Sequence, residues 1–336
     1  MKKKKSATIV DVAKFAGVSI GTVSNVLNRR NDVPLAEDTI LKVNEAIRQL
    51  GYRRNAIAAH LSRQRSYELG MLLPSYDDYF VKFAGEVEHI VLEKGYHLSV
   101  FSAPDKPELG RRHLELLLQR RVDGLFCHGL AMPPDTARAI VKEGTPIVLF
   151  NAWGWPDDIA AGLVNLDVAS ACAEAVLHLY EQGCRTIVYL GNMIAAATDE
   201  QRRIGFEEGI RRLANEPIVI GMLDSHNPSW LKELQRFITG DHPVGVLGFN
   251  DLTAFHAMSK LLELGYRIPE QVKIIGINNT PVSRLSFPGM TSIQNPYKLQ
   301  AEAAVRMMMA RLEGEPGEGA IVQIPLQLIP RKSTER

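Results

Sequence analysis

The chain has 336 residues, enough for two or three domains, and its 46% hydrophobic and 23% charged residues are typical of a globular protein rather than a disordered or fibrous one. The net charge of +1 hides an uneven distribution, because residues 1–65 carry 13 Lys and Arg against 5 Asp and Glu, whereas the remainder carries 26 against 33. A basic N-terminal segment on a mildly acidic remainder favours a polyanion such as nucleic acid as the partner of that segment.

The chain opens with four lysines, Lys2–Lys5, as some secretory signals do. The stretch that follows is interrupted by Asp11 and Lys14, so no apolar core of the length that a signal needs is present. No window approaches the length and hydropathy of a membrane span. The three cysteines form neither an even set nor a metal-binding spacing, which indicates buried reduced thiols. We therefore expect a cytoplasmic protein.

Residues 8–50 are predicted to form three short helices. Thr8 caps the first, Ser19 caps a second from about Ile20 to Asn28, and the third runs from about Glu37 to Leu50. The second helix has an apolar side and a side of hydroxyl and amide groups, and a tight turn joins it to the first, which is typical of a helix-turn-helix. Its polar side can enter the major groove of DNA. A small helical subdomain of an enzyme is the alternative, which the basic charge disfavours.

Residues 52–66 contain four arginines, no acid and few apolar residues. The segment is too short and too polar to form a stable helix alone. We interpret it as a linker that becomes ordered only under some condition.

From Glu68 onward, short apolar strands alternate with helices, first over about 68–151 and again from a strand at 162–166 to about residue 278. This alternation is the pattern of doubly wound parallel sheets, and its repetition predicts two of them. Residues 288–296 are expected to cross back to the first half, where a helix at about 297–313 packs. Residues 320–329 are expected to form one last strand.

The sequences "TIVDVAKFAGVSIGTVSNVLN" and "KVNEAIRQLGYRRNAIAAHL" resemble the DNA-binding region of the lactose-repressor/galactose-repressor (LacI/GalR) family of bacterial transcriptional regulators. The resemblance covers the whole chain, since the remainder fits that family's periplasmic-binding-protein-like domain. It implies an α/β protein with an N-terminal all-α helix-turn-helix (1–51), a hinge (52–66) and an effector-binding and dimerisation domain (67–336). That domain is expected to consist of two doubly wound parallel-sheet subdomains, one at about 67–164 plus 292–320 and the other at about 165–291 plus 321–331.

Carried over position by position, the resemblance implies that Ile20, Gly21 and Asn25 read bases in the major groove. It implies contacts to the DNA backbone from six further residues: Thr8, Ser19, Thr22, Ser24, Asn28 and Tyr52. In the family the hinge becomes a helix on the operator and a leucine enters the minor groove; Leu61, with Ala58 beside it, occupies that place. Because an asparagine can pair bidentately with adenine, we expect Asn25 to carry most of the direct base reading.

In the family the effector lies between the two subdomains, near the carboxyl ends of the strands. Here "QRRIGF" resembles the family's Arg-x-x-Gly-Phe motif and "GFNDLTAF" resembles its Asn-Asp motif. The resemblance implies effector contacts from eight residues: Tyr79, Phe80, Asn151, Trp153, Arg202, Asn250, Asp251 and Asn278. Other roles stay open, because Asp251 can instead cap its helix and Tyr79 and Trp153 can instead lie in a lid or on the surface.

Two of these positions affect the charge of the expected pocket. Asn278 and Asn151 stand where an aspartate is common in the family, so that less negative charge is present to neutralise Arg202. A neutral sugar and an anionic effector, such as a sugar phosphate or acid, both stay open, and the two asparagines favour the second.

No catalytic fingerprint is found: the sequence has no GxGxxG after its first strand, no GxxxxGK[ST], no GxSxG and no HExxH. We predict no enzyme, no cofactor and no metal. The predicted function is that of a homodimeric repressor that binds pseudo-palindromic operator DNA under the control of a small-molecule effector, a sugar or sugar derivative. A sugar-binding transport receptor and a Rossmann-type enzyme are the alternatives from other classes. The helix-turn-helix disfavours the first, and the missing phosphate fingerprint disfavours the second.

Overall fold

The structure is a computed structural model that describes residues 7–27, 35–52, 65–103, 107–119, 122–156, 158–159, 162–193, 196–315 and 321–335. The chain divides into two compact units, Met1–Ser66 and Tyr67–Arg336, which we call the head and the body. The described part of the head is helical, whereas the body combines helices with two sheets.

The described part of the head contains three helices, which are α1 (Ile9–Ala16), α2 (Ile20–Leu27) and α3 (Glu37–Leu50). Each helix contributes one completely buried valine, Val12, Val23 and Val43 respectively, to a shared core. The serine, threonine and asparagine side chains of α2 give it a low intrinsic helix propensity. Burial of Val23 against α1 and α3 therefore stabilises α2 more than its own propensity does.

A tight turn joins α1 to α2. Gly17 has a φ of +68°, a left-handed conformation that glycine adopts without steric cost. The Ser19 Oγ then accepts the N–H of Thr22 at 3.0 Å and caps α2. The chain bends by 105° between the two helices, within the range of helix-turn-helix motifs. Across the described residues no single helix is long and apolar enough to cross a membrane, and this bent pair passes only a test of length and composition.

Helices and strands alternate along most of the body. Its helices are α4 (Asp78–Glu93), α5 (Pro107–Gln119), α6 (Pro134–Lys142), α7 (Val168–Glu181), α8 (Ala196–Arg212), α9 (Trp230–Phe237), α10 (Asp251–Glu263), α11 (Pro281–Leu285) and α12 (Tyr297–Leu312). Its strands are β1 (Glu68–Leu73), β2 (His97–Ser102), β3 (Gly124–His128), β4 (Ile147–Phe150), β5 (Gly162–Leu166), β6 (Thr186–Gly191), β7 (Val219–Asp224), β8 (Val244–Gly248), β9 (Val272–Ile277), β10 (Thr291–Gln294), β11 (Ile321–Ile324) and β12 (Gln327–Ile329).

The described strands form two six-stranded sheets, in the orders β11-β5-β4-β3-β1-β2 and β12-β10-β9-β8-β6-β7. Pairing is parallel except between β10 and β12. Strands β3, β4, β8 and β9 bury every residue, as strands covered by helices on both faces do. In each sheet the strand order reverses next to the first strand, β1 or β6, so that a crevice opens there at the carboxyl ends.

Three segments lie in a different sheet from the one that the sequence predicts. Strand β5 pairs with β4 and β11 in the first sheet, although we expected it in the second. Residues 288–296, expected only to cross back, contribute β10 to the second sheet. The predicted last strand is two strands, β11 in the first sheet and β12 in the second. Apolar patterning does not show which sheet a strand joins, because the partner strand comes from a distant part of the chain.

Candidate functional site

The polar side of α2 lies on the surface of the head. Ile20 is 48% exposed although it is a large apolar residue, and Gly21 next to it is also exposed. Ser24 and Asn25, on the following turn, are half-buried. Val23, between these positions, points into the core of the head with no exposed surface. One side of α2 thus packs in the core, and the residues predicted to read bases lie on its accessible side.

Hydroxyl groups predicted to contact the DNA backbone lie at the N-terminal ends of α1 and α2. The Thr8 Oγ1 accepts the N–H of Asp11 at 3.3 Å, and the Asp11 carboxylate accepts the Thr8 N–H at 2.8 Å, which completes a capping box. The hydroxyls of Ser19 and Thr22 lie 2.9 Å apart at the start of α2. Helix N-termini attract anions, so these positions suit contacts with phosphate groups.

The remaining predicted DNA contacts have different outcomes. Tyr52 is half-buried and packs against the core of the head. Asn28, Ala58 and Leu61 lie outside the described residues.

In the body, the predicted effector contacts follow the carboxyl ends of the parallel strands of both sheets. Asn151 follows β4 and Asn278 follows β9. The ring of Tyr297, at the start of α12, lies 5.7 Å from the ring of Tyr79, and its hydroxyl donates to the carbonyl oxygen of Asn278 at 3.2 Å. The crossover to α12 therefore brings strand ends of the two sheets together.

A buried hydrogen-bond network holds Tyr79 and Asn151. The Tyr79 hydroxyl donates to Oε1 of Gln300 at 2.8 Å and accepts from Nδ2 of Asn151 at 2.7 Å. Oδ1 of Asn151 accepts from the N–H of Leu166 at 3.1 Å and from Nε2 of Gln300 at 3.2 Å. Burial raises the pKa of the Tyr79 hydroxyl well above its usual range, so it is neutral in the working range of pH. The polar ends of both side chains are satisfied inside the protein.

We expect Tyr79→Phe to lower the free energy of unfolding of the body by about 1–3 kcal/mol, because Nδ2 of Asn151 and Oε1 of Gln300 would lose their shared partner in a buried site. Urea denaturation followed by tryptophan fluorescence measures this change, since all three tryptophans belong to the body. Tyr76→Phe is the matched control, because Tyr76 is exposed and its hydroxyl makes, among the described residues, a single long contact of 3.5 Å to the Val100 oxygen. Equal stabilities of the two variants would contradict the network.

Aromatic residues cluster near the carboxyl ends of the strands of the first sheet. The half-buried ring of Phe80 meets the rings of Tyr79 and His128 edge-on, with centroids 5.0 and 5.1 Å away. Trp153 is half-buried and packs against the adjoining core. Burial lowers the pKa of His128 to about 3 and raises that of the Cys127 thiol well above its usual range, so that both are uncharged. Cys127 and His128 therefore pack as neutral groups at the end of β3.

Arg202 is the buried cation of the second half of the site, with 7% of its surface exposed. Its Nε donates to the Phe249 oxygen at 2.7 Å and its Nη1 to the Thr198 oxygen at 2.8 Å, and the guanidinium lies 4.3 Å from the Phe249 ring centroid. Arg202 is thus fixed through its contacts with the backbone at Thr198 and at Phe249, the residue before Asn250.

Asn250 and Asp251, at the N-terminal end of α10, have different structural roles. Asn250 caps the helix, because its Oδ1 accepts the N–H of Thr253 at 2.8 Å. Asp251 is buried instead: one carboxylate oxygen accepts the N–H and the hydroxyl of Thr280 at 2.6 and 2.8 Å, and the other accepts the hydroxyl of Ser292 at 2.5 Å. Burial raises the pKa of the Asp251 carboxyl, and these hydrogen bonds oppose that rise.

Asn278 takes part in a local contact at the end of β9. It has a φ of +107°, and its Oδ1 accepts from Nδ2 of Asn295 at 2.8 Å. The side chain therefore ties β9 to the segment that leads into α12, while the residue stays half-buried.

Sequence reasoning missed the partners of these residues. Gln300, Tyr297, Thr280 and Ser292 complete the contacts above, yet none belongs to a recognisable motif. Gln300 could have been found from helical spacing, because it stands four residues before Ala304 and eight before Met308 on the buried side of α12. A buried amide needs partners, and this one finds them in Tyr79 and Asn151.

Comparison with known families supplies two matches. The profile described as "Bacterial regulatory proteins, lacI family" matches residues 8–55, and the profile described as "Periplasmic binding protein-like domain" matches residues 176–334. Together they cover most of the head and the second half of the body.

Curated relatives extend along nearly the full chain. The HTH-type transcriptional repressor PurR of Mannheimia succiniciproducens is 30% identical over 338 residues, which cover 98% of this chain and 99% of that protein. The ribose operon repressor of Halalkalibacterium halodurans is 27% identical over 332 residues, or 98% and 97% of the two chains. Among solved structures, the lac repressor dimer bound to operator and the anti-inducer ONPF superposes with a TM-score of 0.83 at 23% identity, covering 98% of this chain and 99% of that one.

Proposed function

The chain belongs to the lacI family of bacterial regulatory proteins and is a DNA-binding transcriptional regulator, and on this premise we propose that it represses transcription as a homodimer on operator DNA. The observation that carries this proposal is the geometry of the head, where α2 buries Val23 and leaves Ile20 and Gly21 accessible. Two copies of α2 would enter successive major grooves of a pseudo-palindromic site. The lac repressor structure, solved as a dimer on its operator, supports this arrangement.

We propose that Ile20, Gly21 and Asn25 read base edges. An asparagine offers a donor and an acceptor that match adenine, and Ile20 can cover a thymine methyl. The capping hydroxyls at the N-termini of α1 and α2 would bind phosphate groups, together with Ser24, Asn28 and Tyr52. Ala58 and Leu61 would act in the minor groove when the hinge is bound to DNA.

We propose that a sugar or sugar derivative binds between the two halves of the body. The names of the ribose operon repressor and the lac repressor complex support a small-molecule effector of this class. Phe80 and Trp153 would pack on the ligand, and Arg202 and Asn250 would donate hydrogen bonds to it. Tyr79, Asn151, Asp251 and Asn278 would position this site rather than bind strongly, because their polar atoms have partners within the protein.

Effector binding would act by a shift between two arrangements of the body. The chain crosses between the sheets after β5, after β10 and between β11 and β12. A change in the angle between the two sheets would therefore take place at these three connections. A ligand that binds one inter-sheet angle more tightly than the other shifts the population toward it. In a dimer this shift would change the spacing of the two heads and hence the affinity for the operator.

We propose that the protein acts in the cytoplasm, where the chromosomal operator lies, and that it is no enzyme. A transport receptor of the same body fold would have no use for the head, and a Rossmann-type enzyme would need a phosphate-binding fingerprint. Both alternatives are disfavoured by full-length relatives that are named as repressors.

An electrophoretic mobility shift with DNA from upstream of the protein's own gene tests the proposed function. We expect retardation of a discrete fragment that falls steeply with salt, because phosphate contacts dominate the affinity. A stable protein that binds no fragment more tightly than random DNA of the same length would refute the proposal.

The side chain of Asn25 provides a sharper test of base reading. We expect Asn25→Ala to lower the preference for the operator over sites with single base changes by about 1–3 kcal/mol at one A·T pair. Asn44→Ala is the matched control, since Asn44 is an exposed asparagine of α3, outside the helix that is proposed to read bases. Binding of both variants to a panel of mutated operators at one salt concentration gives the comparison. Unchanged relative affinities for Asn25→Ala would exclude it as a reader.

A further inference from the structure

We propose that Tyr67 is a fixed joint, which holds the chain in one direction at the point where the hinge ends and the body begins, and that operator affinity depends on this joint. The inference rests on the proposed function, because operator binding is the property that the joint would affect. Three features carry it: the backbone conformation of Tyr67, the hydrogen bonds of its peptide groups and the packing of its ring.

Tyr67 has a backbone conformation that is rare for its residue type. It is the first residue of the body, directly before β1, and its φ is +57°. In the described part of the chain, the other non-glycine residues with a positive φ are all asparagines, which tolerate the left-handed region. A tyrosine stays in that region only where its surroundings hold it there. Conformations of this kind are concentrated at clamps and switch regions, which favours a functional role for this one.

Hydrogen bonds fix the peptide groups on both sides of Tyr67. Its N–H donates to Oδ2 of Asp123 at 2.8 Å, and its carbonyl oxygen accepts the N–H of His97 at 2.9 Å. Asp123 is itself tied to the start of β1, because its N–H donates to the carbonyl oxygen of Glu68 at 2.8 Å. His97 begins β2 and Asp123 directly precedes β3, and these two strands flank β1 in the first sheet. The joint is therefore anchored at the amino ends of three neighbouring strands.

The ring of Tyr67 provides a further anchor. Its centroid lies 5.4 Å from that of Tyr96, and the two rings are inclined by 46°. Tyr96 follows the C-terminal end of α4 and is buried, whereas Tyr67 is 38% exposed. The ring of Tyr67 thus packs on the core of the body while part of it stays accessible. This aromatic contact stabilises the left-handed conformation, which an asparagine supports instead through its short polar side chain.

The position of the joint gives it a role in operator binding. It lies at the amino ends of the parallel strands of the first sheet, whereas the candidate effector contacts follow their carboxyl ends. A segment that leaves the body through a freely rotating residue loses backbone entropy when operator binding fixes its direction. A joint that is already fixed avoids this loss and transmits a movement of the first sheet to the hinge.

Three substitutions of Tyr67 that all remove the ring test the joint by mobility shift on the upstream fragment. Asparagine tolerates the left-handed conformation, glycine permits it among many others, and the β-branched valine resists it. We expect Tyr67→Asn to bind within about threefold of the wild type, whereas Tyr67→Gly and Tyr67→Val bind about tenfold more weakly. A role of the ring alone, in packing or in contact with DNA, would make the three variants equal. Tyr76→Gly is the matched control and should bind as the wild type does, because Tyr76 is an exposed tyrosine of the body without a positive φ.

Hydrogen exchange at the amide of residue 67, measured without DNA, reports on the joint directly. After correction for intrinsic rates, we expect exchange about tenfold faster in Tyr67→Gly and in Asp123→Ala than in Tyr67→Asn, because the first loosens the backbone and the second removes the acceptor. Tryptophan-monitored unfolding shows whether the body of each variant is folded, since all three tryptophans belong to it. If Tyr67→Val does not fold, the comparison of Tyr67→Asn with Tyr67→Gly still decides, because both residues are compatible with the left-handed region.

The outcomes separate this inference from the proposed function. Specific binding by the wild type, with equal operator affinities of Tyr67→Asn and Tyr67→Gly, would overturn the joint and leave the proposed function intact. Equal exchange at residue 67 in these two variants would also overturn the joint. A wild-type chain that prefers no fragment over random DNA would instead refute the proposed function.

Discussion

Gly205→Ala should lower the free energy of unfolding of the body by about 3 kcal/mol or more, because there is no room for a methyl group at this position. A Cβ built on Gly205 of α8 would lie 2.2 Å from the carbonyl oxygen of Ala169 on α7 and 2.8 Å from its carbonyl carbon. These are backbone atoms of a helix with seven buried residues, so the clash cannot be relieved by rotating a side chain. Either α7 or α8 has to move.

The same substitution in an open position is a matched control. Gly85 also lies within a helix, α4, and apart from the backbone of that helix a Cβ there would have no heavy atom of the described residues within 4 Å. We expect Gly85→Ala to stabilise the body by about 0.4–1 kcal/mol, because alanine loses less conformational freedom on folding and favours helix. Urea denaturation monitored by tryptophan fluorescence measures both variants. A Gly205→Ala protein as stable as Gly85→Ala would contradict the close approach of α7 and α8.

Gly205 is the glycine of the family motif "QRRIGF", and its role there is to let two helices pack closely. The glycine of "QRRIGF" lies three residues after Arg202, so the helix that presents the guanidinium is seated directly on α7. A change in that seating would move Arg202 as well. Gly205 thus links the packing of the body to the position of its buried cation.

Local patterns in the sequence were enough to predict most helices and strands. Helix α3 runs from Glu37 to Leu50 as predicted, because its apolar residues recur at helical spacing and Gly51 ends it. The strands of both sheets up to β9 likewise follow their apolar runs. Helix α11 and strand β10 were not predicted, since each is short and β10 is fixed by pairing with β9 and β12 rather than by its own pattern.

The candidate site was harder to predict, because its contacts join distant parts of the chain. The motif around Asn250 and Asp251 was visible, but the sequence could not show that Asp251 bonds Ser292, 41 residues away. Similarly, Tyr79 and Gln300 are 221 residues apart. Motifs locate residues that have a role, and only the fold shows whether a polar atom points at a ligand or at another part of the protein.

Val23→Asp should abolish specific DNA binding while leaving the body folded. Val23 is completely buried in the small core of the head, with Val12 and Val43 as fully buried neighbours. A head of about 50 residues has a stability of only a few kcal/mol. Burying an unpaired carboxylate costs at least as much, so α2 cannot stay packed.

Two measurements separate this effect from general unfolding. Mobility shifts on the upstream fragment should lose the specific complex, and the tryptophan-monitored unfolding of the body should have an unchanged midpoint. Val10→Asp is the control, because Val10 is 41% exposed on α1 and receives the same added charge. If repulsion from phosphate groups were the cause, both variants would lose binding equally. If instead the burial of Val23 keeps α2 packed on the head, only Val23→Asp loses the specific complex. The DNA-facing side of α2 then depends on the packing of its buried side.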